Sequence, residues 1–388
     1  MSEWKKVKLG ECCEITSAKR CHASDRSREG IPFYCSKEII QLDKGEEVLY
    51  SDYIPVDLYN SISKKFGVPK SGDLLLTTRG TNGIPYIYKD RDCFYFADGN
   101  LSWFKNFSNQ LDVRYLYYWF KSYVGKHSVD AISKGTAQKA VPIEGLRSLD
   151  IELPTFNTQR RIATILSRYD SLIENYQKQI KLLEEAAQRL YKEWFVDLHF
   201  PGYETTKIVD GVPEGWEKKK VGDMISKTQR NKQVAANNYR VSGKIPVIDQ
   251  SRDYIAGYTD EEECLVKVNV PYIVFGDHTR ILKYIPFSFA KGADGTQLIM
   301  SNDLERMPQS LFYNSLIEID LSNYSYARHF KYLKEEVILL PSKYVARKYD
   351  SIVSKYYQSI QRNREQIRLL TEARDRLLPK LMCGELEV

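Results

Sequence analysis

Residues 166–190 read LSRYDSLIENYQKQIKLLEEAAQRL. Apolar or aromatic side chains fall at Leu166, Tyr169, Ile173, Tyr176, Ile180, Leu183, Ala187 and Leu190, in steps alternating three and four. That is the seam of a coiled coil. The pattern returns 187 residues later at Val353, Tyr356, Ile360, Asn363, Ile367, Leu370, Arg374 and Leu377. Asn363 and Arg374 make this second seam polar in places, and a polar seam residue fixes register at some cost in stability. One amphipathic helix ordinarily packs on its own domain. Two helices with the same seam and the same length point instead to mutual pairing. The simplest pairing is an antiparallel two-helix coiled coil.

The repetition extends beyond the helices. Trp4-Lys5-Lys6-Val7-Lys8-Leu9-Gly10-Glu11 returns as Trp216-Glu217-Lys218-Lys219-Lys220-Val221-Gly222-Asp223. Ile31-Pro32-Phe33 is echoed by Ile245-Pro246-Val247, and Leu74-Leu75-Leu76 by Tyr272-Ile273-Val274-Phe275. Both copies then reach a Leu-Pro, at Leu153-Pro154 and Leu340-Pro341, and proline suits the first turn of a helix. Two copies make a duplicated module and not a solenoid. The expected organisation is a mixed domain over 1–153, a long helix and its exit over 154–200, a second mixed domain over 201–340, and a second long helix over 341–388. The fold class is α+β with a pseudo-two-fold internal repeat. Short strands at Asp73–Thr78 and Tyr272–Phe275 are expected, with one buried, aromatic-rich helix over Asp112–Val124.

With 388 residues, 43% hydrophobic and 28% charged, the chain has apolar mass for more than one core. No apolar run approaches the ~18 residues of a membrane span. The start, Met1-Ser2-Glu3-Trp4-Lys5-Lys6-Val7, lacks the apolar core of a signal peptide. A soluble, cytoplasmic protein with no membrane partner is expected. The net charge of +6 is spread thinly: +2, +1, −1 and +4 over the four segments, so no polybasic arm exists and any nucleic-acid contact must come from local patches.

Signatures of catalysis are missing. There is no Gly-x-x-x-x-Gly-Lys-Ser/Thr, no Gly-x-Gly-x-x-Gly opening a helix, no His-Glu-x-x-His, and no Asn-Pro-Pro-aromatic or Asp-Pro-Pro-Tyr. Cys12, Cys13, Cys21, His22 and Cys35 crowd together, but their spacing fits no common zinc finger, and the seven cysteines read as reduced thiols. Asp277-His278 reads as structural or as a ligand contact, and Glu261-Glu262-Glu263 as a solvated loop. Neither a catalytic site nor a metal site is expected.

Several stretches together resemble a known family. Leu153-Pro154-Thr155-Phe156-Asn157-Thr158-Gln159-Arg160-Arg161-Ile162-Ala163 is similar to the helix-opening signature of the specificity subunit of Type I restriction–modification systems. Glu193-Trp194-Phe195-Val196-Asp197, Phe200-Pro201-Gly202 and Val212-Pro213-Glu214-Gly215-Trp216 resemble its junction into a second half. Gly135-Thr136-Ala137-Gln138-Lys139 and Tyr326-Ala327-Arg328-His329-Phe330-Lys331 resemble a late element of each half. The resemblance implies two target-recognition domains on an antiparallel coiled coil, each reading half of a split target. It implies no catalysis and no cofactor in this chain. The implied partners are double-stranded DNA, two modification subunits carrying S-adenosylmethionine, and two restriction subunits using ATP and magnesium. The second helix opens Leu340-Pro341-Ser342-Lys343-Tyr344-Val345-Ala346-Arg347 and lacks the Gln-Arg-Arg-Ile-Ala run, so its subunit contacts are expected to differ.

Side chains that reach base edges or phosphates are Lys, Arg, Asn, Gln, Ser, Thr and Tyr. The candidates for DNA contact are Thr77, Thr78, Arg79 and Asn82 in one loop, and His278, Thr279 and Arg280 in the loop at the comparable place in the second half. Lys134, Gln138 and Lys139, then Arg328, His329 and Lys331, are the candidates near the helix roots. Lys19 with Arg20, and Arg230 with Lys232, follow the two Trp/Gly motifs. Each group reads equally as surface charge or local structure. Candidates for subunit binding and the coiled coil are Gln159, Arg160, Arg161, Leu166, Ile173, Ile180, Leu183, Leu190, Val353, Ile360, Ile367, Leu370 and Leu377. Residues 166–190 span about 37 Å at 1.5 Å per residue. That is close to one turn of B-DNA, so such a rod suits two DNA readers on successive turns.

Overall fold

The computed structural model describes residues 4–49, 51–135, 139–227, 231–292, 294–324 and 328–388. The chain folds as two compact units: Met1–Asn175 with Gln366–Val388 (unit 1), and Tyr176–Glu365 (unit 2). The contact boundary thus falls inside the helices and not at the prolines. The first long helix runs Phe156–Tyr191 and the second Lys343–Met382, so each gives its beginning to one unit and its end to the other. Among the described residues no helix is long and apolar enough to cross a membrane.

In both units the two sequence motifs that lie farthest apart are neighbours. Strand Lys5–Lys8 pairs antiparallel with Asp150–Leu153, with Lys5 opposite Leu153. Strand Glu217–Lys220 pairs with Val337–Leu340, with Glu217 opposite Leu340. The residue after each repeated Trp therefore meets the residue before each repeated Pro. The motif glycines have a packing reason. A Cβ on Gly10 would lie 3.0 Å from Arg147 Cβ, and one on Gly222 would lie 3.0 Å from the Lys334 carbonyl. In each unit the short helix opened by the motif is pressed against a second short helix, Ile143–Ser148 or His329–Glu335.

The sheets repeat too. Unit 1 has a four-stranded sheet in the order Glu14–Thr16, Leu101–Lys105, Leu74–Thr77, Pro85–Ile87. In unit 2 the corresponding sheet is Leu282–Ile285, Tyr272–Gly276, Thr296–Ile299. In both, the expected apolar strand is interior and its hairpin partner follows it. A smaller sheet is built on Ile31–Tyr34, paired antiparallel to Asp52–Ile54 and parallel to Tyr95–Phe96. Ile245–Ile248 sits likewise between Gly257–Thr259 and Phe289–Lys291.

The long helices pair with each other, antiparallel within each unit. In unit 1, Ile162, Ala163 and Leu166 share a core with Leu378, Leu381 and Met382, and Arg374 reaches Asp170 at 2.6 Å. In unit 2, Ala187, Tyr191, Trp194 and Phe195 share a core with Val345, Tyr349, Val353 and Ile360. There Asn363 donates to Gln179 at 3.1 Å, and Arg364 pairs with Glu184 at 3.0 Å. The two polar seam residues thus each meet a polar partner on the facing helix. Every seam position read from the sequence is buried or half-buried, whereas off-seam Leu182 and Leu369 are exposed. The two-domain α+β chain with paired helices is the observed fold.

Two expectations need correction. The prolines are not in the first turn: Pro154 and Pro341 precede the caps, and Thr155 Oγ1 accepts from the Thr158 N–H. The aromatic stretch 112–124 is not one helix but two, Val113–Lys121 and Tyr123–Ile132. Ser122 ends the first by leaving the helical conformation and caps the second by accepting from the Gly125 N–H. Consequently Tyr115–Phe120 is largely buried, while Tyr123 is 78% exposed.

Candidate nucleic-acid interface

The two candidate loops are the tips of equivalent hairpins. In unit 1, the Thr77 N–H donates to Ile84 O and the Gly83 N–H to Thr77 O, at 3.0 and 2.7 Å. In unit 2, the Gly276 N–H donates to Ile281 O and the Arg280 N–H to Gly276 O, both at 2.8 Å. Thr77 therefore matches Gly276, Thr78 matches Asp277 and Gly83 matches Arg280. The unit 1 tip is two residues longer between these anchors.

The residue after the strand is the hub of each tip. The Val141 N–H donates to Thr78 O at 2.9 Å, and the His329 N–H to Asp277 O at 3.0 Å. The Thr78 N–H donates to Asn100 O at 2.8 Å, and the Asp277 N–H to Gly295 O at 2.7 Å. By the same pair of bonds, both units gather the hairpin tip, the segment that precedes a short helix, and a third loop.

In unit 1, this places exposed Arg79, half-buried Asn82, exposed Lys134 and exposed Lys139 together. Lys134 and Ala140 exchange two backbone bonds of 2.9 Å, Arg79 bridges to Ala140, and Asn82 Nδ2 donates to Lys139 O at 3.2 Å. Ser36, which the sequence reading missed, donates its hydroxyl to Arg79 O at 3.0 Å. Thr77 and Thr78 are buried. Thr77 Oγ1 donates to Thr81 O at 2.6 Å and accepts from the Ile84 N–H, so these two shape the loop and do not face a ligand. Lys19 and Arg20 are exposed on the loop beside Asp98, with which Arg20 pairs at 2.9 Å. Gln138 lies outside the described residues.

In unit 2, His278, Thr279, Arg280, Arg328 and Lys331 are exposed. Gln250, another residue without a sequence signal, organises the tip. Its Oε1 accepts from the His278 N–H at 3.1 Å and its carbonyl from Thr279 Oγ1 at 2.7 Å. His329 is not a surface contact: it is buried, with ring nitrogens 2.9 Å from Asp277 O and 3.0 Å from Tyr324 O. Buried Asp277 accepts from the Phe330 N–H at 2.8 Å and is structural. Lys232 is drawn into ion pairs with Glu261 and Glu263, so that acidic loop is not merely solvated. Arg230 lies outside the described residues. Arg280 has φ +62, in the left-handed region where a non-glycine residue costs about 1 kcal/mol or more.

On the first long helix, Gln159 cannot meet a partner subunit. It is fully buried, accepts from the Asp112 N–H at 2.9 Å, and donates to Gln110 O and Pro154 O at 2.8 and 3.0 Å. Arg160 and Arg161 are exposed. With Asn157, Thr164, Ile165 and Arg168 they line an open groove of about 580 Å³. At the paired position of the second helix stands Ala346, and in unit 2 the Pro341 carbonyl is served instead by Arg306 Nε at 2.8 Å. The missing glutamine is thereby explained.

No group of His, Cys, Asp and Glu that could hold a metal exists among the described residues. Burial pushes the Cys13 thiol up to about 12 and raises Cys12, Cys21 and Cys35 as well, which keeps them protonated.

Comparison with known proteins agrees with this architecture. A family model described as the Type I restriction modification DNA specificity domain matches residues 1–185. The chain is 28% identical over 348 residues to the Type I restriction enzyme MjaIX specificity subunit of Methanocaldococcus jannaschii, covering 82% of this chain and 78% of that one. It is 28% identical over 189 residues to a putative specificity subunit, S.HindORF215P, of Haemophilus influenzae, covering 48% and 46%. The fold is shared with the crystal structure of the S subunit from M. genitalium, at TM-score 0.60 and 18% identity over 97% of this chain and 96% of that one. These relatives are specificity subunits of Type I restriction enzymes, and the matching family model is that of a DNA specificity domain. Residues 1–185 thus match the DNA specificity domain of Type I restriction–modification systems, and the chain as a whole is similar to a Type I specificity subunit.

Proposed function

We propose that each unit reads one half of a split DNA target with its hairpin tip and the segment tied to it. As a specificity subunit, the chain has DNA and the modification and restriction subunits as partners. The observation that carries the reading is the repeated hub: the same backbone bonds at Thr78 and Asp277 set two sequence-distant candidate groups side by side in both units. Arg79, Asn82, Lys134 and Lys139 serve the first half-site, and His278, Thr279, Arg280, Arg328 and Lys331 the second. Lys19 and Arg20 suit phosphate contacts. Phosphates position the complex, and the groove-facing side chains select the sequence.

The starts of the long helices are the proposed seats of two modification subunits. Arg160, Arg161 and Arg168 form no ion pair among the described residues, and the repeat keeps positive charge at all three places as Arg347, Lys348 and Lys355. Arg347 differs in pairing with Glu305 at 3.3 Å. The paired helices fix the separation of the two half-sites and carry two restriction subunits through the modification subunits. This chain binds no cofactor in this reading; S-adenosylmethionine, ATP and magnesium are held by its partners. The complex works in the cytoplasm.

Selection from a randomised duplex pool by the assembled complex tests this. A split motif is expected. Arg79→Ala with Lys139→Ala weakens selection in one half only, because the other unit is untouched. Enrichment of no split motif overturns the reading and leaves a coiled-coil adaptor. Loss spread evenly over both halves overturns the assignment of one half-site to each unit.

A further inference from the structure

The two hairpins close with the same turn and fill it differently. Gly83 has φ +80 and Arg280 has φ +62, and both donate their N–H to the matching carbonyl. Glycine takes this backbone without strain and is the usual occupant of a hairpin's left-handed position; arginine is not. Burial of the side chain does not repay the strain, since Arg280 is exposed. Its guanidinium has one hydrogen bond among the described residues, from Nη1 to Leu321 O at 3.1 Å, and Asp320 lies within reach of its charge. That bond aims the group and leaves the other N–H donors with no partner among the described residues. The same tip already carries charges suited to phosphates at Arg328 and Lys331, so a phosphate contact does not need a strained residue.

We propose that Arg280 is the specificity-determining residue of unit 2 and reads a guanine edge in the major groove. A guanidinium presents two parallel donors that match O6 and N7 of guanine, and of the two arginines at this tip Arg280 is the one held on left-handed backbone. Strain held at an exposed tip, where glycine stands in the sister hairpin, marks a position kept for its side chain. The inference rests on the reading that unit 2 contacts one half-site, and the experiment separates the two.

The assembled complex is offered a randomised duplex pool as wild type, as Arg280→Gly and as Arg280→Lys. Wild type enriches a split motif. Arg280→Gly keeps one half and loses a guanine preference at one position of the other, by roughly tenfold or more, while the thermal midpoint of the chain holds or rises. Arg280→Lys binds the pool almost as tightly as wild type but loses the same preference, because the charge remains and the fork is gone. An unchanged motif in Arg280→Gly overturns the proposal. So does uniform weakening over all sequences with a shallower salt dependence, the mark of a phosphate contact. A lowered thermal midpoint in Arg280→Gly overturns it as well, because Arg280 would then be a pin for the Leu321 segment. A wild type that enriches no split motif sinks the underlying reading itself.

Discussion

Where the helices meet inside unit 2, rings meet rings. Tyr349 lies 5.2 Å from Phe195, 5.9 Å from Trp194 and 6.4 Å from Tyr191, and Trp216 lies 4.6 Å from Phe200. The matching place in unit 1 is aliphatic and charged. Ile162 stands for Tyr349, Leu381 for Trp194 and Met382 for Phe195, and Trp4 packs on Gly384. The seam above differs in kind too. Asp170 takes the Arg374 guanidinium and the Tyr118 hydroxyl, both at 2.6 Å, whereas their repeat mates are Tyr357 and Ala187. The helical ladder is interrupted at one repeat position by different means, a π turn opening at Lys192 and the proline Pro379. The duplication has preserved depth and register and left the chemistry free, because a core demands volume and dryness before it demands a particular atom.

The comparison is most easily broken at its centre. Tyr349→Ala should cost about 3–5 kcal/mol, and Ile162→Ala about 2–5 kcal/mol with no ring contacts to lose. Hydrogen exchange read separately over 176–365 and over 1–175 shows whether each loss stays in its own unit. Equal losses would mean the rings add nothing beyond volume.

Next in size is the charged seam of unit 1. Arg374→Leu strands Asp170 and should cost about 2–4 kcal/mol, while Asp170→Leu with Arg374→Leu should cost less than either single change, since an apolar pair is what unit 2 resembles at that place. A thermal-denaturation double-mutant cycle with additive losses would refute this.

The two proline carbonyls come third. Gln159→Ala removes three hydrogen bonds at a buried group and should cost about 1–3 kcal/mol. Arg306→Ala should cost a similar amount in unit 2, where the partly buried guanidinium also bonds Leu340 O and pairs with Glu217. Urea unfolding of both variants sharpens the claim that different side chains do one job. Smallest is the motif glycine: Gly10→Ala and Gly222→Ala should each cost about 1–2 kcal/mol and match within experimental error, since their added Cβ atoms meet neighbours at the same distance.

Much of this was legible beforehand. The seam spacing named both helices and their pairing, because only two facing apolar stripes bury one another at that period. The repeated Trp, Gly and Leu-Pro marked equivalent points of two units, and the apolar runs at 74 and 272 marked strands, which the fold then placed in the interior of their sheets. What remained hidden was contact between segments remote in the chain. Asp112 and Gln159, or Thr78 and Val141, share no spacing rule, so nothing short of the fold could reveal Gln159 as an internal clamp or Thr78 and His329 as buried props.

Sequence by itself therefore determined the duplication, the helices, one apolar strand in each unit and the pool of polar residues, all of which follow from local periodicity and composition. Tertiary structure alone decided which of those polar residues face outward together and which are consumed as hydrogen-bond partners inside. It also revealed that Arg280 holds the turn position that Gly83 holds in the sister hairpin, because which residues correspond in two loops of unequal length is decided by the bonds that close them.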